Sequence, residues 1–213
     1  MDRERFYAHK KALLAAIIIT AFFFIIWDVI FTNIGVWGFT SKYNLGIIIS
    51  SLPIEEIFFF MVVPFSCHFI HASLIKHLPI SFSKKTNDLF AILLIVGFAI
   101  LAGFNTEKHY TFFVSVYSSI VLTIAYFLFR IDWFDKFMLS YLVSLIPFFA
   151  INGLLTGMAT SEPVVWYNDQ ENLGLRIITI PVEDFIYNFA LFFTNLFLYY
   201  FIIDKLNLKK KNN

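Results

Sequence analysis

The sequence contains little charge and almost no cysteine. Charged residues make up 15% of its 213 residues and hydrophobic residues 59%. In soluble domains, charged residues average about 25% and apolar residues about 45–50%. This composition excludes an ordinary soluble domain, and it excludes a disordered chain because disorder requires low hydrophobicity. The single cysteine, Cys67, excludes an internal disulfide and a cysteine-based zinc site.

The motifs of several common binding sites are also missing. Neither a G-x-G-x-x-G nor a G-x-x-x-x-G-K-[ST] segment occurs, so no nucleotide cofactor is expected. A net charge of +1 without a basic stripe gives no reason to expect nucleic acid as a partner. His68 and His71 share a helix face, but no H-E-x-x-H accompanies them, so we interpret them as interfacial histidines and expect no metal site.

What the sequence does contain is long apolar stretches. Each is expected to be helical, because lipid offers no hydrogen-bond partner to an unpaired backbone group. The second and sixth are long enough to tilt or bend, and they contain Pro53 and Pro181. The sequence therefore predicts an all-α transmembrane protein of about six helices. The stretches cover residues 12–31, 45–74, 89–104, 111–129, 137–158 and 173–203.

The distribution of lysine and arginine predicts an orientation. If the N-terminus is cytoplasmic, thirteen of the sixteen lysines and arginines lie on that side, among them Arg3 and Arg5 and the tail residues Lys209, Lys210 and Lys211. Only Lys42 and Lys108 lie opposite. This bias predicts that both termini are cytoplasmic. We interpret the first stretch as a membrane anchor and not as a removed signal peptide. We expect the protein to lie in the bacterial inner membrane.

An internal repeat divides the chain. NLGIIISSLPIEEIFFF begins at Asn44, and NLGLRIITIPVEDFIYN begins at Asn172 and aligns without a gap at an offset of 128. Because the copies are separated by an even number of helices, the repeat is predicted to be parallel, about an axis along the membrane normal. We expect a first repeat over residues 1–75, a linker helix region over 76–108 and a second repeat over 109–213.

The repeat carries two pairs of acids, and a further acid precedes it. If each copy is helical from its asparagine, the first acid of the pair lies 11 residues on, about 16 Å along the helix and near the midplane. A charged acid there costs at least about 2.5–3.5 kcal/mol. Arg176 is the only base predicted to be embedded with them, on the same helix face. The acids are Glu55, Glu56, Glu183 and Asp184, with Asp28 nearer the outer face.

These acids suggest proton transfer in an apolar site. Removal from water disfavours the charged form of a carboxyl group, so several of the acids are expected to keep their protons. A protonated acid donates and a neighbouring carboxylate accepts, which makes general acid–base catalysis possible without metal or nucleotide. Aromatic faces at Phe58, Phe59, Phe60 and Tyr187 could stabilise a cation. Packing against lipid is the alternative for the phenylalanines.

Four segments carry a resemblance to a known family. WDVIFTNIGVWGF from Trp27, LPIEEIFFF from Leu52, VPFSCHFI from Val63 and IPVEDFIYNF from Ile180 resemble the membrane-integral lycopene cyclases. These are the two-subunit bacterial enzymes and their fused relatives, which are unrelated to the flavin-containing cyclases. The resemblance extends from about residue 6 to 203.

The resemblance implies a reaction and a set of residues. Lycopene, taken from the bilayer, would be protonated at a terminal double bond, would close a six-membered ring through a cation, and would lose a proton to give a β-ionone ring. No cofactor takes part. The resemblance implies that Glu55, Glu56, Glu183 and Asp184 form the acid–base set. Asp28, Arg176, Pro53 and Pro181 would support them, and Phe58, Phe59 and Tyr187 would line the substrate.

Several alternatives stay open. The fused relatives have one more helix before the basic segment that begins here at Arg3, so this chain is expected to contain two, one and three helices. A proton-coupled transporter with parallel repeats is a different interpretation of the midplane acids. A cyclase for a C50 carotenoid, or one that forms ε or γ rings, is another. The sequence does not decide whether one or two rings form or which acid donates the proton. It also leaves open whether the chain associates with itself or with other carotenoid enzymes.

Overall fold

A computed structural model describes residues 9–77 and 81–211, with backbone only for 207–211. Arg3 and Arg5, and the side chains of Lys209, Lys210 and Lys211, lie outside this description. Six helices in it are long and apolar enough to cross a membrane, which confirms the predicted all-helical fold. They are α1 (Lys10–Asn33), α2 (Ile54–His77), α3 (Lys84–Gly103), α4 (His109–Thr123, continued by a π-helical turn Ile124–Leu128), α5 (Phe134–Leu155) and α6 (Val182–Lys211).

Helix α6 lies at the centre of the bundle. It packs against α1 and α4 over long stretches and also contacts α2 and α5, while α3 packs on α4. Aromatic residues fill the interior around it, among them Phe137, Phe189 and Phe193. A second aromatic cluster around Phe24 and Trp37 surrounds the N-terminal end of α6.

Short strands at one end of the bundle tie its two halves together. Strand β1 (Trp37–Phe39), after α1, pairs antiparallel with β4 (Val165–Tyr167), which lies before α6. Gly38 is opposite Trp166 in this pairing. A Cβ at Gly38 would approach the Trp166 ring to 2.3 Å, so glycine at this position lets the ring lie against the backbone of β1.

Two hairpins replace the beginnings of two predicted helices. Strands β2 (Ile48–Ile49) and β3 (Leu52–Pro53) form a hairpin before α2, and β5 (Arg176–Ile177) and β6 (Ile180–Pro181) form one before α6. The predicted continuous helices over 45–74 and 173–203 are therefore wrong in their first parts. The hydrophobicity of these short segments does not distinguish strand from helix. Each proline ends a strand immediately before the helix, so it breaks no helical hydrogen bond and need not bend the helix.

The hairpins also change where the acids lie. Glu55 and Glu56 are in the first turn of α2, and Glu183 and Asp184 are in the first turn of α6. The prediction that they lie about 16 Å down a helix, near the midplane, was wrong because the preceding residues are not helical. The acids lie at the ends of their spans, beneath the strands.

Candidate functional site

The repeated Asn-Leu-Gly segment has a structural explanation in both copies. The Asn44 side chain accepts a hydrogen bond from the Gly46 amide at 2.9 Å, and the Asn172 side chain accepts one from the Gly174 amide at 2.6 Å. Both glycines have positive φ, +78° and +70°, a conformation that glycine adopts without steric cost. The asparagine and glycine therefore build the same turn before each hairpin.

The first acid of each pair completes that turn. Glu55 Oε1 accepts a hydrogen bond from the Leu45 amide at 2.7 Å, and Glu183 Oε1 accepts one from the Leu173 amide at 2.8 Å. Glu183, which is fully buried, also accepts one from the Thr111 hydroxyl at 2.6 Å. Glu55 is exposed. These two carboxylates hold backbone groups in place.

The second acid of each pair faces a common cleft. Glu56 from α2 and Asp184 from α6 line it, together with Asp28 from α1. Glu55 and Glu183 do not. The cavity within it has a volume of about 60 Å³, which is small beside the roughly 300–1,000 Å³ of a typical ligand pocket. The structure thus divides four predicted catalytic acids into two that face the cleft and two that stabilise the turns.

Asp184 is surrounded by hydrogen-bond donors. Its oxygens accept from Tyr110 Oη at 2.6 Å, from Asn152 Nδ2 at 2.7 Å and from Tyr167 Oη at 2.9 Å. Burial and the nearby Asp184 carboxylate raise the pKa of Tyr167 well above its usual value, so its hydroxyl keeps the proton that it donates. Three donors favour the ionised form of Asp184.

The other two cleft acids have fewer donors. Asp28 is 2% exposed, and its Oδ1 accepts from the Trp37 indole N–H and, at 3.4 Å, from the Thr32 hydroxyl. Its Oδ2 has no hydrogen-bond partner among the described residues. None of the described side chains donates to Glu56. The three acids therefore differ in environment, although they share one cleft.

Aromatic rings form much of the cleft wall. Tyr187 and Phe59 line it, whereas Phe58 is 57% exposed and points away from it. Trp37 and Tyr110 also line it, with their ring centroids 5.0 Å apart. Because the face of an aromatic ring attracts a cation, a wall of such rings is suited to a cationic intermediate.

Several residues of the site were not singled out from the sequence. They are Trp37 and the three donors to Asp184, which lie 74, 32 and 17 residues from it along the chain: Tyr110, Asn152 and Tyr167. Trp37 and Tyr167 reach the cleft because β1 and β4 pair. The polar Asn152 within an apolar stretch was the one local signal, since a buried polar group needs a partner.

Arg176 is placed differently from expectation, and the two histidines face the interior of the bundle. Arg176 lies in β5, where it pairs with Asp169 and donates to the Thr179 carbonyl at 3.0 Å, so it does not share a helix face with the acids. His68 and His71 are each 2% exposed, so their side chains face the interior of the bundle. His71 contacts Ser140 Oγ at 2.8 Å.

Five of the six helices that are long and apolar enough to cross a membrane line an acidic, aromatic cleft, which is the arrangement of a membrane protein with a site between its helices. A family model described as Lycopene cyclase matches residues 2–74 and 107–202, and the chain belongs to this family. No curated protein and no solved structure matches the chain. The protein is therefore an integral membrane enzyme that acts on carotenoids, and its general reaction is carotenoid cyclisation.

Proposed function

We propose that the enzyme closes β-ionone rings at the linear ends of lycopene by acid–base catalysis without a redox step. The observation that carries the proposal is the meeting of Glu56, Asp184 and Asp28 in one aromatic cleft. An apolar molecule has no polar group for such acids to bind, so their use there is to move a proton. The reaction is an isomerisation, because the substrate gains one proton and loses another.

Glu56 is the proton donor in this proposal. It has no hydrogen-bond donor among the described side chains, and it lies near two other carboxyl groups. Both conditions disfavour a third negative charge, so Glu56 keeps its proton. It transfers that proton to the terminal double bond, which leaves a tertiary cation on the substrate and a carboxylate on Glu56.

Asp184 stabilises the cation as a fixed carboxylate. Its three hydrogen bonds hold its charge and orientation before the reaction begins, and such preorganised charge stabilises a transition state without rearrangement. The nearby internal double bond attacks the cation and closes the ring. Asp28, whose Oδ2 lacks a partner, accepts the proton that leaves the ring, and its return to Glu56 completes the cycle.

We also infer that the chain contains a parallel duplication with both termini in the cytoplasm. The two hairpins support the duplication, because the hydrogen bond from the Ile54 amide to the Ile47 carbonyl, 2.9 Å, recurs between the Val182 amide and the Leu175 carbonyl at 3.0 Å. The lysine and arginine distribution supports the orientation. We divide the chain into repeats over 1–75 and 109–213, with a linker helix region over 76–108. We propose that the protein lies in the bacterial inner membrane.

Expression in a lycopene-accumulating bacterium tests the proposed reaction. Pigment analysis by chromatography should show a new cyclic carotenoid with β-ionone ends, and none with Glu56→Gln. Unchanged lycopene, in cells whose membranes contain the folded protein, would contradict the proposal. A product with ε or γ rings would be consistent with the acid–base mechanism but would mean that a residue other than Asp28 removes the proton.

A further inference from the structure

Helices α2 and α5 form one side of the cleft and run antiparallel. At the far end of the pair, His71 late in α2 contacts Ser140 early in α5, and both side chains are buried. At the cleft, Glu56 and Phe59 early in α2 lie with Asn152 and Leu155 late in α5. The two helices are therefore closely packed at one end and have the cleft between them at the other.

Both helices contain a proline between those two ends. Pro64 lies seven residues before His71 in α2, and Pro147 lies seven residues after Ser140 in α5. In antiparallel neighbours this places the two prolines at the same level. A proline inside a helix removes one backbone hydrogen bond and gives the helix a point at which it bends. The prolines thus lie where the packed region ends and the cleft begins.

The exposure of the cleft residues shows where the cleft opens. Walls on α1, α4 and α6 are closed, since Asp28, Tyr110 and Asp184 are all buried. On α2 and α5, Phe60 is buried, whereas the other cleft residues are only partly buried; they are Glu56, Phe59, Phe148, Asn152 and Leu155. On the strand side, Phe39 and Val165 are also partly buried, and they pair with each other in the β1–β4 sheet.

The surface around this opening is apolar. On α2, Val62 is 58% exposed, and on α5, Ile146 is 72% and Ile151 is 52% exposed. In a membrane-spanning bundle such side chains face lipid. The opening between α2 and α5 is therefore bordered by side chains suited to contact lipid.

We propose that the carotenoid enters the cleft end-first from the bilayer, between α2 and α5, across a threshold formed by Phe59, Phe148 and Leu155. The proposal rests on the proposed function. A cavity of about 60 Å³ has no room for more than the end of a long polyene, and the rest of the molecule remains in lipid without crossing water. After one ring has formed, the molecule leaves by the same opening and returns with its other end.

A reversible cross-link across the threshold tests the entrance. Phe59→Cys and Leu155→Cys are combined with Cys67→Ala, which removes the one native cysteine, and the pair is joined by a bifunctional thiol reagent with a reducible disulfide in its spacer. The cross-linked protein should convert lycopene at least tenfold more slowly than the same sample after reduction. Recovery on reduction excludes a folding defect as the cause.

A bulky substitution provides an independent measurement with a neighbouring control. Leu155→Trp narrows the threshold and should slow conversion at least tenfold, whereas Leu154→Trp, at a lipid-facing neighbour that is 47% exposed, should stay within about twofold of the unmodified enzyme. Full activity of both the cross-linked protein and Leu155→Trp would overturn the entrance and leave the proposed reaction standing. Failure of the unmodified protein to convert lycopene would overturn both.

Discussion

Replacing Glu56 with glutamine, beside the same change at Glu55, separates the two adjacent acids of the first motif. Glutamine preserves the size and hydrogen bonding of glutamate but cannot donate a proton to a double bond. A positioned general acid contributes about 10²–10⁴ in rate, or roughly 2.7–5.4 kcal/mol at 1.36 kcal/mol for each tenfold change. Glu56→Gln should therefore slow ring formation at least about a hundredfold.

Glu55→Gln is the matched control. Glu55 is exposed, and its oxygen accepts a hydrogen bond from the Leu45 amide, which the glutamine oxygen can also accept. The change removes only the charge assistance of that hydrogen bond, about 1 kcal/mol of stability. We expect activity within about threefold of the unmodified enzyme, so the two variants should differ at least about thirtyfold.

The assay is the initial rate of cyclic carotenoid formation by purified protein in lipid vesicles loaded with lycopene. Thermal midpoints and helical content are measured in parallel, because a rate difference is meaningful only between equally folded variants. Equal losses in Glu55→Gln and Glu56→Gln, with unchanged stability in both, would refute the division of the pair into a turn-stabilising acid and a proton donor.

Four further predictions test the site and the topology. Asp184→Asn should abolish ring formation at both ends of lycopene, because acids from both motifs line the same cleft; clean accumulation of a one-ringed product would contradict this. Tyr167→Phe removes one of three donors to Asp184 and should slow the reaction about three- to tenfold. Because the pKa of Tyr167 is raised, its hydroxyl should stay protonated, and the unmodified enzyme should lose no activity from Tyr167 deprotonation below about pH 10. A loss of activity near neutral pH that disappears in Tyr167→Phe would contradict this prediction. Purified protein in lipid should cyclise lycopene without added flavin or nicotinamide, and strict dependence on either would exclude the mechanism. Reporter fusions should place both termini in the cytoplasm, and an external C-terminus would mean an odd number of spans.

The two acid pairs show why a motif is easier to detect than to interpret. The spacing from asparagine to glutamate is the same in both copies, and so is the turn that these residues build. A repeated sequence indicates that the same residues are needed twice, but they can be needed for backbone geometry or for catalysis. Only the direction of each side chain from the first turn of its helix separates Glu55 from Glu56.

Hydrophobicity alone determined the number of helices and their approximate positions, because a membrane span needs about 20 apolar residues whatever its neighbours are. The same local information placed acids in apolar surroundings and made their chemistry recognisable. It could not reveal the hairpins before α2 and α6, since strands of two residues leave no periodicity to measure.

Tertiary structure decided which residues form the cleft. Tyr167 reaches Asp184 because two loops pair as β1 and β4, and Tyr110 and Asn152 reach it because α4 and α5 lie beside the beginning of α6. Arg176 pairs with Asp169 because it lies in a strand. It does not lie on a helix that would place it beside the acids. Contacts between residues distant in sequence depend on how the elements pack, and the pattern along a single segment carries no information about its neighbours in space.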